Sequence, residues 1–226
     1  MIKEGLQFIK RTLTRPEGLL LSDTGPVSAF FGMDRGTPID RYYIEKFLMQ
    51  NQQYIQGKVL EIAESTYSKK FGQNVKTYEV LHVDETNPKA TLIGDLTNWN
   101  KLPKELVDCF ICTQTFNFIY NFQEAIKGAY HLLKREGVLL ATVSGISQIS
   151  RYDMDRWGDY WRFTTLSAAK AFSQVFGEDK VSVDHYGNCL SASSFLRGIA
   201  AEELSEEKLK EKHPDYQLVI TIKAVK

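Results

Sequence analysis

The segment from Lys58 to Gly145 constrains the fold more than any other part of the sequence. It contains short apolar runs with an acidic residue at or near the carboxyl end of three of them: Glu61, Asp84 and Asp95. A helical stretch and further apolar runs follow downstream, and such alternation predicts a mainly parallel sheet with helices on both faces. Because nucleotide-like ligands bind outside the carboxyl ends of parallel strands, these acids indicate a binding edge.

Hydrophobic periodicity and turn residues predict the remaining elements. Helices are expected at 41–53, 67–71, 122–133, 164–176 and 191–204, and strands at 59–62, 79–83, 91–93, 107–113, 138–143, 180–185 and 216–225. Lys134–Gly137 is interpreted as a basic last helical turn with a glycine stop. Residues 1–38 are predicted to be a loop-rich leader, and residues 39–226 a single domain with a long loop at 146–163.

Composition narrows the functional classes. The 226 residues include 28 basic and 28 acidic side chains, a balance that argues against a nucleic-acid binder with a broad basic surface. No apolar run is long enough to span a membrane and no signal peptide is recognisable, so a cytoplasmic protein is expected. Cys109 and Cys112 lie in one apolar strand and are predicted to be buried thiols, and no cluster has metal-ligand spacing.

With these features in place, the chain resembles the class I S-adenosylmethionine-dependent methyltransferases over residues 41–145, with a weaker similarity to Lys226. More narrowly, it is similar to small bacterial methyltransferases found with polysaccharide and glycosyl-transfer systems. The narrower match depends on Arg41–Tyr43, Gly94–Thr97, Thr113–Thr115 and Ser144–Thr164. The resemblance implies a Rossmann-like α/β fold with a seven-stranded, mostly parallel sheet whose last strand is antiparallel.

The resemblance also implies cofactor contacts for S-adenosylmethionine, or for its product S-adenosylhomocysteine, without a metal. Glu61 would orient the methionine amino group, Asp84 would hold the ribose hydroxyls, and Asp95 with Leu96 would recognise adenine. The full set of expected cofactor residues is Tyr43, Glu61, Ala63, Asp84, Asp95, Leu96, Thr113 and Gln114. Ala63 is small enough for the cofactor to approach if its φ is negative.

The first loop departs from the family pattern. The family usually has E-x-G-x-G-x-G, whereas this chain has Glu61–Tyr67 without glycine, and glycine permits backbone angles that other residues resist. A second hypothesis is therefore a catalytically inactive, methyltransferase-like binding or scaffolding domain. A third is a dinucleotide-dependent oxidoreductase, although the missing G-x-G-x-x-G and the adenine-type Asp95 count against it.

The loop at 146–163 follows the fifth strand and so lies on the acceptor side of the expected site. Aromatic rings there can stack on a sugar while charged groups bind its hydroxyls; the substrate-binding candidates are Tyr152, Arg156, Trp157 and Tyr160. A sugar hydroxyl benefits from a general base, for which the candidates are Asp153, Asp155 and His185. Alternatively, Trp157, Trp161 and Phe163 fix this loop onto the core. The expected partner is a small-molecule or glycan-linked acceptor, and a homodimer is left open.

Overall fold

The computed structural model describes residues 2–13 and 24–226, which form two compact units. The larger one, here called the sheet unit, comprises Ile44–Gly145, Ile149–Asp184 and Ile220–Lys226. The second unit comprises the described residues up to Tyr43 together with Ile146–Gln148 and His185–Val219. Within the described residues, no helix combines the length and the apolar character needed to cross a membrane.

One seven-stranded sheet organises the fold. Its strands are β1 (Gly57–Ile62), β2 (Val75–His82), β3 (Leu92–Ile93), β4 (Val107–Thr113), β5 (Leu133–Ser144), β6 (Val181–Tyr186) and β7 (Val219–Val225). Their spatial order is β3-β2-β1-β4-β5-β7-β6, with the last strand antiparallel to an otherwise mostly parallel set. The predicted Rossmann-like fold is confirmed, and the strand order reverses direction between β1 and β4.

Eight α-helices accompany the sheet in the described residues. They are α1 (Ile2–Leu13), α2 (Ile39–Gln50), α3 (Thr66–Phe71), α4 (Phe122–Leu132), α5 (Arg151–Met154), α6 (Thr165–Phe176), α7 (Cys189–Leu196) and α8 (Glu206–Lys210). The helix α1 lies inside the predicted loop-rich leader, of which residues 14–23 fall outside the described residues. Short 3₁₀ turns at Leu96–Lys101 and Phe116–Phe118 follow the ends of β3 and β4.

The core of the sheet unit lies around β4 and β5. Phe110, Ile111, Leu139 and Leu140 are fully buried, as expected for central strands covered on both faces. Cys109 and Cys112 are also fully buried free thiols, which confirms the prediction made for them. Burial raises the pKa of both, to about 12 for Cys112, so both remain protonated at neutral pH.

Helix α4 fixes the turn that follows β3. A Cβ added to Gly128 would lie 2.1 Å from the carbonyl oxygen of Leu96, so the helix approaches that backbone at a distance only glycine allows. Ala125, Ile126 and Ala129 on the same helix are fully buried. The position of Leu96 at the sheet edge is therefore determined by helix packing.

The predicted helical turn at Lys134–Gly137 is wrong, because α4 ends at Leu132 and β5 begins at the next residue. Main-chain bonds to the last residue of the chain account for the difference. The N–H of Glu136 donates to Lys226 O at 3.0 Å, and the N–H of Lys226 donates to Gly137 O at 3.0 Å. Pairing with a residue distant in sequence thus overrides the local signal for a helix end. This pairing cannot be read from the residues around 134–137.

The second unit explains another difference, the early end of the helix predicted at 191–204. Helix α7 ends at Leu196, and Gly198 follows with φ 70°. A Cβ on Gly198 would lie 2.1 Å from Ser28 O, so the close approach of that segment forces a turn. In the same unit, the buried guanidinium of Arg35 binds both carboxylate oxygens of Glu203, at 2.9 and 2.6 Å.

Candidate functional site

The candidate site lies at the carboxyl ends of the neighbouring strands β1 and β4, where the strand order reverses. In sheets of this kind, that switch point is the usual position of a ligand crevice. The residues that follow these two strands, Ala63 and Gln114, both have left-handed backbones, with φ 63° and 48°. This conformation is uncommon for residues other than glycine, and backbone strain of this sort concentrates at functional sites.

Ala63 is the centre of a γ-turn. The N–H of Glu64 donates to Ile62 O at 2.7 Å, across one intervening residue, and the N–H of Ala63 donates to Leu81 O at 3.0 Å. The condition of a negative φ at Ala63 is therefore not met, since its φ is positive. The chain adopts at this position a backbone that glycine would adopt more easily, although it has no glycine in the loop.

Asn87 holds the other side of that turn. Its Nδ2 donates to Ala63 O at 2.6 Å, and its Oδ1 accepts from the N–H of Lys89 at 3.0 Å. This role of Asn87 is not predictable from the sequence, because an Asn-Pro pair indicates only a turn. No local signal shows that the side chain reaches back to the loop after β1.

Glu61, near the end of β1, is only 3% exposed. Its two carboxylate oxygens accept from the N–H groups of Tyr67 and Ser68, at 3.0 and 2.9 Å. Burial raises its pKa, while these two bonds act in the opposite direction. The carboxylate thus holds the start of α3 in place, and each oxygen has a second lone pair for a further donor.

Asp84, just beyond β2, is a solvent-accessible carboxylate. Its Oδ1 accepts from the hydroxyl and the N–H of Thr86, at 2.5 and 3.0 Å, and these bonds lower its pKa. His82 Nδ1 lies 3.2 Å from the same oxygen. Asp84 is therefore ionised at neutral pH and can accept bonds from a bound diol.

Asp95 follows β3 and caps the 3₁₀ turn at Leu96–Lys101. Its Oδ1 accepts from the N–H of Thr97 at 2.8 Å, and its Oδ2 lies 3.3 Å from the side-chain amide nitrogen of Asn98. Leu96 is buried beneath the turn. The carboxylate therefore has a structural contact in addition to any contact with a ligand.

Gln114 is attached to the end of β5. Its backbone N–H donates to Thr142 O at 2.8 Å, and its side-chain Oε1 accepts from the hydroxyl of Ser144 at 2.6 Å. Thr113, the last residue of β4, accepts at its carbonyl from the Thr115 hydroxyl at 3.0 Å. These bonds hold the backbone beneath the candidate crevice in one conformation.

The acceptor-side loop begins with a capped helical turn, α5. The hydroxyl of Ser150 donates to Asp153 Oδ2 at 2.5 Å, and the carbonyl of Asp153 accepts from the N–H groups of Arg156 and Trp157. Asp153 is therefore engaged in shaping the loop. The carboxylate of Asp155 is 67% exposed and lies 3.9 Å from Arg151, which leaves it the more accessible of the two acids.

Asp159, which was not among the predicted site residues, anchors the same loop. Its nearly buried carboxylate binds Arg162 through two N–H···O contacts, at 2.5 and 3.0 Å, and accepts from Ser150 N at 3.0 Å. The N–H groups of Tyr160 and Trp161 donate to Asn117 O, just beyond β4. The loop is thus attached to the end of the central strand.

Exposed aromatic side chains remain on this loop. The Arg156 guanidinium lies 3.6 Å from the ring centroid of Tyr152, and the ring of Tyr160 meets that of Tyr120 edge to face at 5.4 Å. Trp157 is 39% exposed and lies edge-on to His82 at 5.7 Å. These rings provide an aromatic surface with polar groups beside it, near the ends of β2 and β4.

Phe163 and Trp161 pack inward instead. Phe163 is buried, and Phe122 contacts both rings, with centroids 5.1 Å from Phe163 and 5.5 Å from Trp161. The indole N–H of Trp161 donates to Tyr120 O at 3.1 Å. Both rings therefore fix the loop onto the core, which is the alternative role that the sequence suggested for Trp161 and Phe163.

Two predicted site residues belong to the second unit. Tyr43 is fully buried, and its ring stacks on that of Tyr186 with 5.2 Å between centroids. His185 is half-buried on β6. Among the described residues, no group of three His, Cys, Asp or Glu side chains is arranged to hold a metal ion.

Comparison with known proteins supports the fold. No family model matches the sequence, and a search of curated proteins gives no match. A solved S-adenosylmethionine-dependent methyltransferase from Archaeoglobus fulgidus is similar at 14% identity, with 82% of this chain and 94% of that chain covered and a TM-score of 0.54. A second, from Mesorhizobium loti, is 11% identical, with coverages of 83% and 98% and a TM-score of 0.50.

The [4+2]-cyclase SpnF is also similar, at 12% identity, with 100% of this chain and 94% of that chain covered and a TM-score of 0.55. Identities this low establish the fold alone, and one fold hosts several chemistries. The chain therefore has the fold of the S-adenosylmethionine-dependent methyltransferases.

Proposed function

We propose that this protein is an S-adenosylmethionine-dependent methyltransferase that methylates a hydroxyl of a sugar or a glycan-linked acceptor. The observation that carries the cofactor assignment is the pair of left-handed residues, Ala63 and Gln114, at the switch point of the sheet. Acidic residues lie at or just after the ends of β1, β2 and β3, in the order that the methionine, ribose and adenine parts of such a cofactor require.

The residues present fit the cofactor. The γ-turn at Ala63 exposes backbone beside the end of β1, and Ala63 adds only one methyl group there. The ionised, accessible carboxylate of Asp84 suits two ribose hydroxyls. When bound, S-adenosylmethionine supplies a methyl group on a sulfonium centre, and aromatic faces nearby favour that positive charge.

The chain itself would position the acceptor and accept its proton. The exposed rings of Tyr152, Trp157 and Tyr160 offer faces for a sugar ring, and Arg156 offers donors to its hydroxyls. Holding the hydroxyl in line with the methyl group supplies much of the rate enhancement. Asp155 is the preferred general base because its carboxylate is accessible, whereas that of Asp153 is bonded to Ser150.

Calorimetric titration with S-adenosylmethionine and with S-adenosylhomocysteine tests the first half of the proposal. Micromolar binding of either is the expected result. Absence of binding to both, by a sample that unfolds cooperatively, would contradict the proposal and favour a non-catalytic binding domain.

Acceptors are then tested with cofactor at saturation. Release of S-adenosylhomocysteine in the presence of sugar nucleotides or oligosaccharides, and a mass increase of one methyl group on the acceptor, would support sugar methylation. Turnover only with amine or carboxylate acceptors would retain the methyltransferase and overturn the sugar assignment.

A further inference from the structure

The γ-turn at Ala63 is held from two directions. The N–H of Ala63 donates to Leu81 O in β2, and its carbonyl accepts from Asn87 Nδ2 at 2.6 Å. Both partners belong to β2 and to the turn that follows it. The left-handed backbone of Ala63 therefore depends on contacts from outside its own loop.

The orientation of Asn87 is itself fixed. Its Oδ1 accepts from the N–H of Lys89, and its backbone carbonyl accepts from the N–H of Ala90 at 3.1 Å. The side-chain oxygen faces a donor and the side-chain nitrogen faces an acceptor, so the amide fits in only one of its two orientations. The side chain of Asn87 thus connects two loops through hydrogen bonds.

That connection joins the two halves of the proposed cofactor site. The turn that carries Asn87 begins at Asp84, the proposed ribose residue, and its amide reaches the turn beside Glu61. Families with glycine in the first loop need no such support, because glycine takes a left-handed backbone without a steric penalty. In this chain alanine occupies the turn, and a side chain from the neighbouring loop holds it.

We propose that Asn87 is a positioning residue that substitutes for the missing glycine by holding Ala63 in its left-handed conformation and so shapes the cofactor site. The residue touches no reacting atom and acts through the backbone of Ala63. The proposal rests on the proposed cofactor-binding function for its effect on affinity, and on geometry alone for its effect on the turn.

A double-mutant cycle between Asn87 and Ala63 tests it. Asn87→Asp keeps an oxygen for Lys89 N but removes the donor and places a carboxylate against Ala63 O. Ala63→Gly removes the need for support. Lys89→Gln is the matched control, because it lowers the net charge equally in the same turn. It keeps the backbone N–H that donates to Asn87 Oδ1, and the ammonium that it removes makes an exposed contact of 3.8 Å with Glu64.

We expect Asn87→Asp to raise the Kd for S-adenosylmethionine by about tenfold, equivalent to about 1.4 kcal/mol. Lys89→Gln should change it by less than about twofold, and in the Ala63→Gly background Asn87→Asp should lose most of its effect. The proposal would be overturned if Asn87→Asp raised the Kd equally in both backgrounds, or left the Kd unchanged. It would also be overturned if, across all variants, the rise in Kd simply followed the fall in the urea midpoint of unfolding.

Amide exchange of Ala63, measured by NMR on the free protein, separates this proposal from the proposed function. We expect exchange at least about tenfold faster in Asn87→Asp than in the wild type, because opening of the turn exposes its N–H. If wild-type protein binds neither cofactor nor product, the proposed function fails, while faster exchange still supports Asn87 as the support of the turn. Unchanged exchange would overturn the inference.

Discussion

The indole ring of Trp157 lies edge-on to the imidazole of His82, with 5.7 Å between the ring centroids. His82 ends β2 and bonds to the residue proposed to hold ribose, Asp84. Trp157 belongs to the acceptor-side loop, so this contact brings the two halves of the proposed reaction centre within reach of each other. Binding of a cofactor at the proposed site should therefore change the surroundings of Trp157 in the loop.

Trp157 should report cofactor binding by fluorescence. Its indole is 39% exposed and adjacent to the proposed ribose site, so a bound nucleoside should change its emission. We expect S-adenosylhomocysteine to alter the intrinsic fluorescence, and Trp157→Phe to remove more than about half of that change. Trp161→Phe is the control, because that indole packs against Phe122. A full response in Trp157→Phe would place the cofactor elsewhere.

Asp84→Asn should weaken S-adenosylmethionine binding by about tenfold, since a neutral amide is a poorer acceptor for ribose hydroxyls. The urea midpoint should change little because the carboxylate is accessible to solvent. Glu85→Gln, at the exposed neighbouring position, is the matched control. Equal affinities of the Asp84→Asn variant and the wild type would refute the ribose role.

The same carboxylate predicts the pH dependence of cofactor binding. Bonds from Thr86 lower the pKa of Asp84 below its ordinary value of 3.8, so the charged form persists until the pH falls through that lowered value. The contribution of Asp84 should therefore be constant from about pH 8 to about pH 5. In titrations across this range, the ratio between the Kd of the Asp84→Asn variant and the Kd of the wild type should stay constant. A difference between them that shrinks near pH 6 would contradict the assignment.

Asp155→Asn should lower kcat by about 10²-fold or more, the usual effect of removing a general base, while the Kd for the cofactor remains unchanged. Arg151→Gln is the control, because it removes the 3.9 Å ion-pair partner and leaves the carboxylate. Single-turnover rates at saturating acceptor measure the effect. Unchanged turnover in Asp155→Asn would remove this residue from the mechanism.

Asp40, in the first turn of α2, predicts a change of stability with pH. Burial raises its pKa to about 6, although the N–H of Arg41 donates to it at 2.7 Å. Because the folded chain holds this proton more tightly than the unfolded chain, stability should fall as the pH rises from about 4 to about 6. An uncharged amide avoids that loss, so Asp40→Asn should be more stable than the wild type by about 1–2 kcal/mol at pH 8.

Urea unfolding of both proteins at pH 4 and pH 8 measures this effect. The two should have similar free energies of unfolding at pH 4, where Asp40 is largely protonated in the folded chain. A variant that is equally stable or less stable than the wild type at pH 8 would show that the charged carboxylate is well accommodated.

The sheet could be predicted from the sequence because its central strands have strong local signals. β4 was expected at 107–113 and is observed at Val107–Thr113, since a mostly apolar run of this length is too short for a typical helix and favours a strand. The elements that were missed depend on distant contacts. Lys134–Gly137 joins a strand through Lys226, and α7 ends early where Gly198 meets Ser28.

The candidate site also contains features that could be predicted from local sequence and features that depend on distant contacts. Glu61, Asp84 and Asp95 could be placed at one sheet edge because strand ends are readable from apolar runs. The contact between Asn87 and Ala63 could not be predicted, since it depends on the positive φ of Ala63, which no residue preference of alanine indicates. Loop conformation follows from bonds across space, which single-residue preferences do not encode.

The contact between Gly128 and Leu96 links the buried face of α4 to the proposed adenine site. Since no side chain fits between them, a shift of α4 along its axis would move the backbone of Leu96 with it. Changes in the core around Ile126 and Ala129 would then move the backbone of Leu96 without any substitution in the turn itself. The geometry of the proposed adenine site would thus depend on the packing of the interior, and substitutions on the buried face of α4 should disturb it more than substitutions on the exposed side of the turn.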